Sequence, residues 1–204
     1  MELTNTRTVK ITAYLLLALA LTQALYTTLY IAKLDVPRQL LWGLEGVLFT
    51  VLVAFAGAAM VQAKNHHIGW AAVAFSAVLN VVQVSVGLTM FGPFREAASQ
   101  NESLGVVAGA VVALSFMIYF AAKLLLGLAA LAFGMASVNA GDKKLGGVTA
   151  LVGVVAMLSN GILVMFGRDG FLPSPVAGGS GVLATLLLAV CLISLARKDS
   201  VTFK

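Results

Sequence analysis

Charge, cysteine, histidine and proline are all scarce in this chain. Only 10% of its 204 residues are charged and 60% are hydrophobic, far from the mix that keeps a globular domain in water. The single cysteine, Cys191, excludes an internal disulfide and leaves no CxxC pair for redox work. The two histidines, His66 and His67, are adjacent, and neighbours in sequence do not point together as metal ligands at i and i+4 do. No metal site is expected there. No histidine falls inside an apolar run, which excludes haem ligation by paired histidines within a membrane. No GxSxG, HExxH, Walker or GxGxxG pattern stands in a supporting context, and the short polar connections leave no room for a soluble catalytic domain. No cofactor is expected. The net charge of +5 comes from bases that bracket apolar runs, which reads as a topology signal and not as a nucleic-acid surface.

What the chain does contain is apolar sequence, at a mean hydropathy of +1.00. The runs are 11–32, 40–63, 68–91, 104–138, 146–166 and 178–196. Each is long enough to cross a hydrocarbon core of about 30 Å at about 1.5 Å per residue. Backbone groups in lipid must be satisfied within their own segment, so the spans are helices. The expected fold is all-α, a polytopic membrane bundle of six transmembrane helices in a single integral-membrane domain. Arg7 and Lys10 precede the first run, and Ala18-Leu19-Ala20 resembles a signal-peptide cleavage site. The apolar stretch continues well past Ala20, so the first run is expected to stay as a span.

With the N-terminus inside, cytoplasmic segments hold eight bases (Arg7, Lys10, Lys64, Lys143, Lys144, Arg197, Lys198, Lys204) against four outside (Lys33, Arg38, Arg95, Arg168). The positive-inside rule then places both termini in the cytoplasm of a multi-pass cell-membrane protein. Tyr26, Tyr30 and Trp42 fall toward the outer interface and Trp70 toward the inner one, as an aromatic belt requires.

Several local features carry expectations of their own. The fourth run would make about 50 Å of helix, so it must tilt, protrude or break. Gly105 and Gly109 near its outer end form a GxxxG, which reads as a close helix contact or a flexible entrance. The polar stretch Pro93 to Ser103 reads as the longest loop. The sixth run opens on Gly178-Gly179-Ser180-Gly181 after Pro173 and Pro175, where a loop dipping into the membrane competes with an ordinary one. Met90-Phe91-Gly92 and Met165-Phe166-Gly167 hint at a hairpin repeat.

The thirteenth base, Lys123, lies inside the fourth run. A lysine at a helix centre costs about 2.5 to 3.5 kcal/mol on insertion scales, so it is expected to face the bundle interior with a partner. Aligned by depth, Gln23, Asn80, Lys123 and Asn160 lie near the middles of four spans. Glu45 lies about 9 Å nearer the outer surface at helical rise, and it is the expected counter-ion if the second and fourth helices are neighbours. Ser76, Asn80, Gln83 and Gly87 share a helical face, as do Gln23, Tyr26, Thr27 and Tyr30, and also Tyr119, Lys123, Gly127, Ala130 and Gly134. The picture is a polar pocket open outward above a tightly packed inner half. Amides and hydroxyls in spans also serve simply as glue, at about 0.6 kcal/mol each, which is the plain reading of Gln23, Ser76 and Asn160.

Three functions compete. In the first, a pocket of Lys123, Glu45, Asn80, Gln83, Tyr119, Gln23, Tyr26, Tyr30 and Asn160 binds or transports a small polar, anionic or amphipathic molecule. Lys123 is then the anchor. In the second, the chain is an accessory subunit docked on another membrane protein or on copies of itself, with lipids around it. The third, an enzyme acting on a lipid or isoprenoid with Glu45 as acid or base and Tyr119 or Lys123 assisting, rests on one acid and is the thinnest. Six spans and a lysine in the fourth do not fit the Schiff-base architecture of retinal proteins.

Overall fold

With no water in a bilayer core, long apolar runs have one economical solution, and the chain adopts it six times. The computed structural model describes residues 4–34, 38–168 and 171–202. Six helices cover them: α1 (Asn5–Ile31), α2 (Arg38–Gln62), α3 (His67–Gln100), α4 (Gly105–Asn139), α5 (Lys143–Phe166) and α6 (Ser174–Thr202). All six are long and apolar enough to cross a membrane, and there is no strand among the described residues.

Hydroxyls within the helices are satisfied locally. Thr12, Thr28, Thr50, Ser85, Thr149 and Thr185 each donate to the carbonyl four residues back, the bond available where water is absent. The outward faces are apolar, with Leu40, Phe75, Leu151, Leu158 and Met165 exposed, as lipid-facing surfaces are.

Short turns make the helices alternate in direction, so one end of the bundle carries both chain termini. The α2–α3 turn at that end passes through His66 in the left-handed region (φ 64°). Asp142 caps α5 by accepting from the Leu145 N–H at 3.3 Å. Neighbour relations give the topology. α1 packs on α2 and α6, α2 on α3, α3 on α4, and α4 on α6, which closes a ring of five helices. α5 lies outside the ring, against α4 and α6.

The α4–α5 seam is the closest approach. A methyl on Gly134 would lie 2.5 Å from the Ala150 nitrogen, and one on Gly146 would lie 2.6 Å from the Gly134 oxygen. Gly127 and Gly153 repeat the arrangement one heptad along. The termini end of the ring is filled by an apolar core that includes Leu16, Leu19, Leu52, Val73, Leu126 and Leu188.

Three expectations change. α3 does not stop before Pro93 but runs through it to Gln100, leaving only Asn101 and a 3-10 turn, Glu102–Leu104, before α4. The residues after Pro93 include Arg95, Glu96, Ala97, Ala98 and Gln100, good helix formers that resume the helix past the missing N–H. α6 begins at Ser174, so Gly178, Gly179 and Gly181 are helical and belong to no loop. Gly105 and Gly109 face open space, so that GxxxG is not a helix contact. The two Met-Phe-Gly triplets also differ: Gly167 ends α5 at φ 77°, whereas Gly92 lies inside α3.

α4 is one unbroken helix of 35 residues and α3 has 34. Trp42 near the start of α2 packs on Gly87 and Phe91 of α3. α3 ends nine residues past Phe91, whereas α2 begins four residues before Trp42, so the end of α3, with the start of α4, overhangs α2 by roughly 8 Å.

Candidate functional site

Lys123 occupies the middle of the ring. It is completely buried (0% exposed), and its Nζ donates to Gln23 Oε1 on α1, across the ring from its own helix. The stem can take this path because α6 presents no side chain there. A methyl on Gly181 would lie 2.8 Å from Lys123 Cδ and 2.9 Å from Cγ. The Tyr119 ring, one turn back on α4, stands 5.4 Å from the ammonium, within cation–π range. Helical side chains lean toward the N-terminus of their helix, so the ammonium points away from the chain termini.

Glu45 is also buried (7% exposed), beside Thr22, with Oε1 unpartnered. It does not form the expected ion pair with Lys123. α2 and α4 are not neighbours in the ring, and their backbones meet α3 at different levels, so the two groups interact only through space. Ser76 Oγ donates to the Ala122 carbonyl at 2.9 Å, whereas Gly46, next to Glu45, faces Val84. Those α3 positions are eight residues apart, about 12 Å. Gln23, on α1, reaches the lysine instead.

Between these groups and the far end lies a cavity of about 100 Å³, walled by Gln23, Tyr26, Thr27, Glu45, Gln83 and Tyr119. Trp42, Phe91, Ser115 and Phe116 complete it. Gln83 Nε2 donates to Ser115 Oγ at 3.2 Å, and the Tyr26 and Trp42 rings meet at 5.7 Å. A second cavity of about 210 Å³ shares Tyr26, Thr27 and Phe116 and extends to Arg168, Ser174, Pro175 and Gly178 at the start of α6.

Of the residues singled out in the sequence, Lys123, Gln23, Glu45, Tyr26, Gln83 and Tyr119 converge on this region. Asn80 is buried just beneath, donating to the Ser76 carbonyl at 2.9 Å, with its Oδ1 unpartnered. Asn160 stands elsewhere, at the α5–α6 seam, donating to the Ala156 and Ala177 carbonyls at 2.8 and 3.1 Å. The Tyr30 side chain lies outside the described residues. Sequence reasoning left Ser115 unnoticed and read Trp42 as an interface aromatic and Gly181 as part of a run opening, assigning none of them to the site. Ser115 was legible, since it precedes Tyr119 and Lys123 at four-residue steps, and Trp42 precedes Glu45 by three. Gly181 was not, because its role depends on which helix faces α4. No group of three metal-ligating side chains occurs among the described residues.

Fold and site together define a bundle of six helices long and apolar enough to cross a membrane, with a lysine enclosed in its interior. Comparison with family models, curated proteins and solved structures finds no match for the chain.

Proposed function

We propose that the chain is a multi-pass cell-membrane protein, both termini cytoplasmic, that binds or transports a small polar, anionic or amphipathic molecule in the cavity above Lys123. One observation carries this reading. An ammonium has three N–H groups, and Lys123 spends one on Gln23. Two have no acceptor among the described residues, and the cavity is walled by the lysine's partner Gln23 and by Glu45, whose Oε1 lacks a donor.

A buried polar atom without a partner costs about 1 to 3 kcal/mol, more when charged, so groups left this way in and just behind a cavity wall favour a guest that supplies both acceptor and donor. At roughly 30 Å³ per water, the 100 Å³ space takes a head group and not a whole molecule. The adjoining 210 Å³ branch provides room for the remainder. Lys123 anchors the head, Glu45 receives its donors, and Gln83 and Tyr26 orient it. Access from the far end agrees with an outward-facing site, since the termini end is filled by apolar core.

Trp42 supplies the readout. With Trp70→Phe, Trp42 is the sole remaining tryptophan of the two, and it lines the cavity. Titration with decyl phosphate is expected to change its emission saturably, and decyl maltoside is not. Lys123→Met should abolish the response while helicity and monodispersity stay normal. An unchanged response in folded Lys123→Met would refute the anchor.

A further inference from the structure

The overhang of α3 and α4 contains a groove of its own. At about 330 Å³ it falls within the roughly 300 to 1000 Å³ typical of ligand clefts, which the Lys123 cavity does not. Phe94, Ala98, Ala108 and Val112 give it apolar walls, and among the described residues its charged wall residues are Arg95 and Arg168. The acids of the same tip, Glu96 and Glu102, are not part of the wall. Arg95 is exposed on α3, while Arg168 arrives from the end of α5 and lies over the Phe116 ring at 4.9 Å. The amino end of α4 opens at the same place and adds the positive end of a helix dipole.

Position matters as much as chemistry. The groove runs from Phe91, opposite Trp42 of α2, toward the α3–α4 tip, so it lies near the far end of the apolar helices, where a bilayer spanned by them would pass from acyl chains to headgroups. Arginines at that level attract anionic lipid heads, while apolar walls between two helices accept a chain segment.

The geometry points to a seat for one anionic phospholipid of the surrounding membrane, its phosphate between Arg95 and Arg168 and part of an acyl chain along the α3–α4 groove. The groove shares Phe91 with the Lys123 cavity and Arg168 with its 210 Å³ branch, while Arg95, Ala98 and Ala108 belong to the groove and to neither of those two. It makes the overhang a lipid-gripping element and not a free extension.

Native mass spectrometry of the full chain in detergent, with phosphatidylglycerol or phosphatidylcholine added at equal concentration, tests it. One retained phosphatidylglycerol is expected, preferred on the order of thirty-fold, the size two near-surface arginines provide. The Arg95→Gln/Arg168→Gln double variant should lose that preference. Ala108→Trp, which fills the groove and keeps both arginines, should lose the lipid itself. Equal retention of the two lipids by the unaltered chain, or an unchanged preference in the double variant, overturns the seat. So does displacement of the lipid by inorganic phosphate with no effect of Ala108→Trp, which would mark a free-anion site. Lys123→Met should leave this lipid in place.

Discussion

A single amide decides how a charge survives at the centre of this bundle. Gln23 is the only hydrogen-bond acceptor of Lys123 among the described residues, and the lysine is fully enclosed. Gln23→Leu keeps the volume and removes the acceptor. It is expected to cost about 2.5 to 3.5 kcal/mol, the range for a lysine left unaided at a span centre, read as a lowered unfolding midpoint in mixed micelles. Lys123→Met should cost less, because an apolar chain of similar length needs no acceptor. The cycle completes the test: in a Lys123→Met background, Gln23→Leu should cost almost nothing. Equal cost in both backgrounds would mean that the amide matters for packing alone. Gly181 belongs to the same unit. Gly181→Ala sets a methyl against the lysine stem, and its destabilisation, about 1 to 3 kcal/mol for an overpacked site, should shrink when Lys123 is shortened to Ala.

At the scale of elements, glycine acts in opposite ways on the same helix. On α4, Gly127 and Gly134 are pressed against the α5 backbone, while Gly105 and Gly109 face open space. Gly134→Ala is therefore expected to destabilise by at least 1 to 3 kcal/mol, and Gly109→Ala to leave the thermal midpoint unchanged or raise it, since alanine is the better helix former by about 1 kcal/mol. Similar losses at both would show that the seam is not held by backbone contact.

The contrast also shows what the sequence carries. Six spans were legible because lipid thickness sets helix length and apolar runs report it directly. The α3 extension was not, because Pro93 and the polar residues after it look like a loop when the packing of α3 on α4 is unknown. The inward faces bearing Ser76, Asn80, Tyr119 and Lys123 followed from helical periodicity. Periodicity gives a direction on one helix and no information about the helix opposite. Gln23 rather than Glu45 meeting the lysine, and Asn160 belonging to the α5–α6 seam, both depend on the order of helices around the ring. Short connections between six similar spans leave that order open.

The whole molecule has two unlike ends, and the difference bears on its orientation. The termini end is closed by apolar core and carries the denser basic charge. The far end holds the cavities and the α3–α4 overhang. If the eight-to-four distribution of bases sets topology as positive-inside charge does, the cavities open to the outside and cells must label the two ends differently. The chain suits such a test, because Cys191 is buried with its thiol on the Phe133 carbonyl and should not react. Ser99→Cys on the overhang is exposed, as is Lys64→Cys in the α2–α3 turn. A membrane-impermeant maleimide added to intact cells is expected to label Ser99→Cys fully and Lys64→Cys only after permeabilisation. The reverse pattern would turn the cavity toward the cytoplasm and leave the Lys123 chemistry intact, while moving its source of ligand to the other side. Labelling of both positions in intact cells would indicate mixed insertion. Lys143→Ser/Lys144→Ser should then increase the mixture, since it removes two of the eight bases that hold the termini end inside.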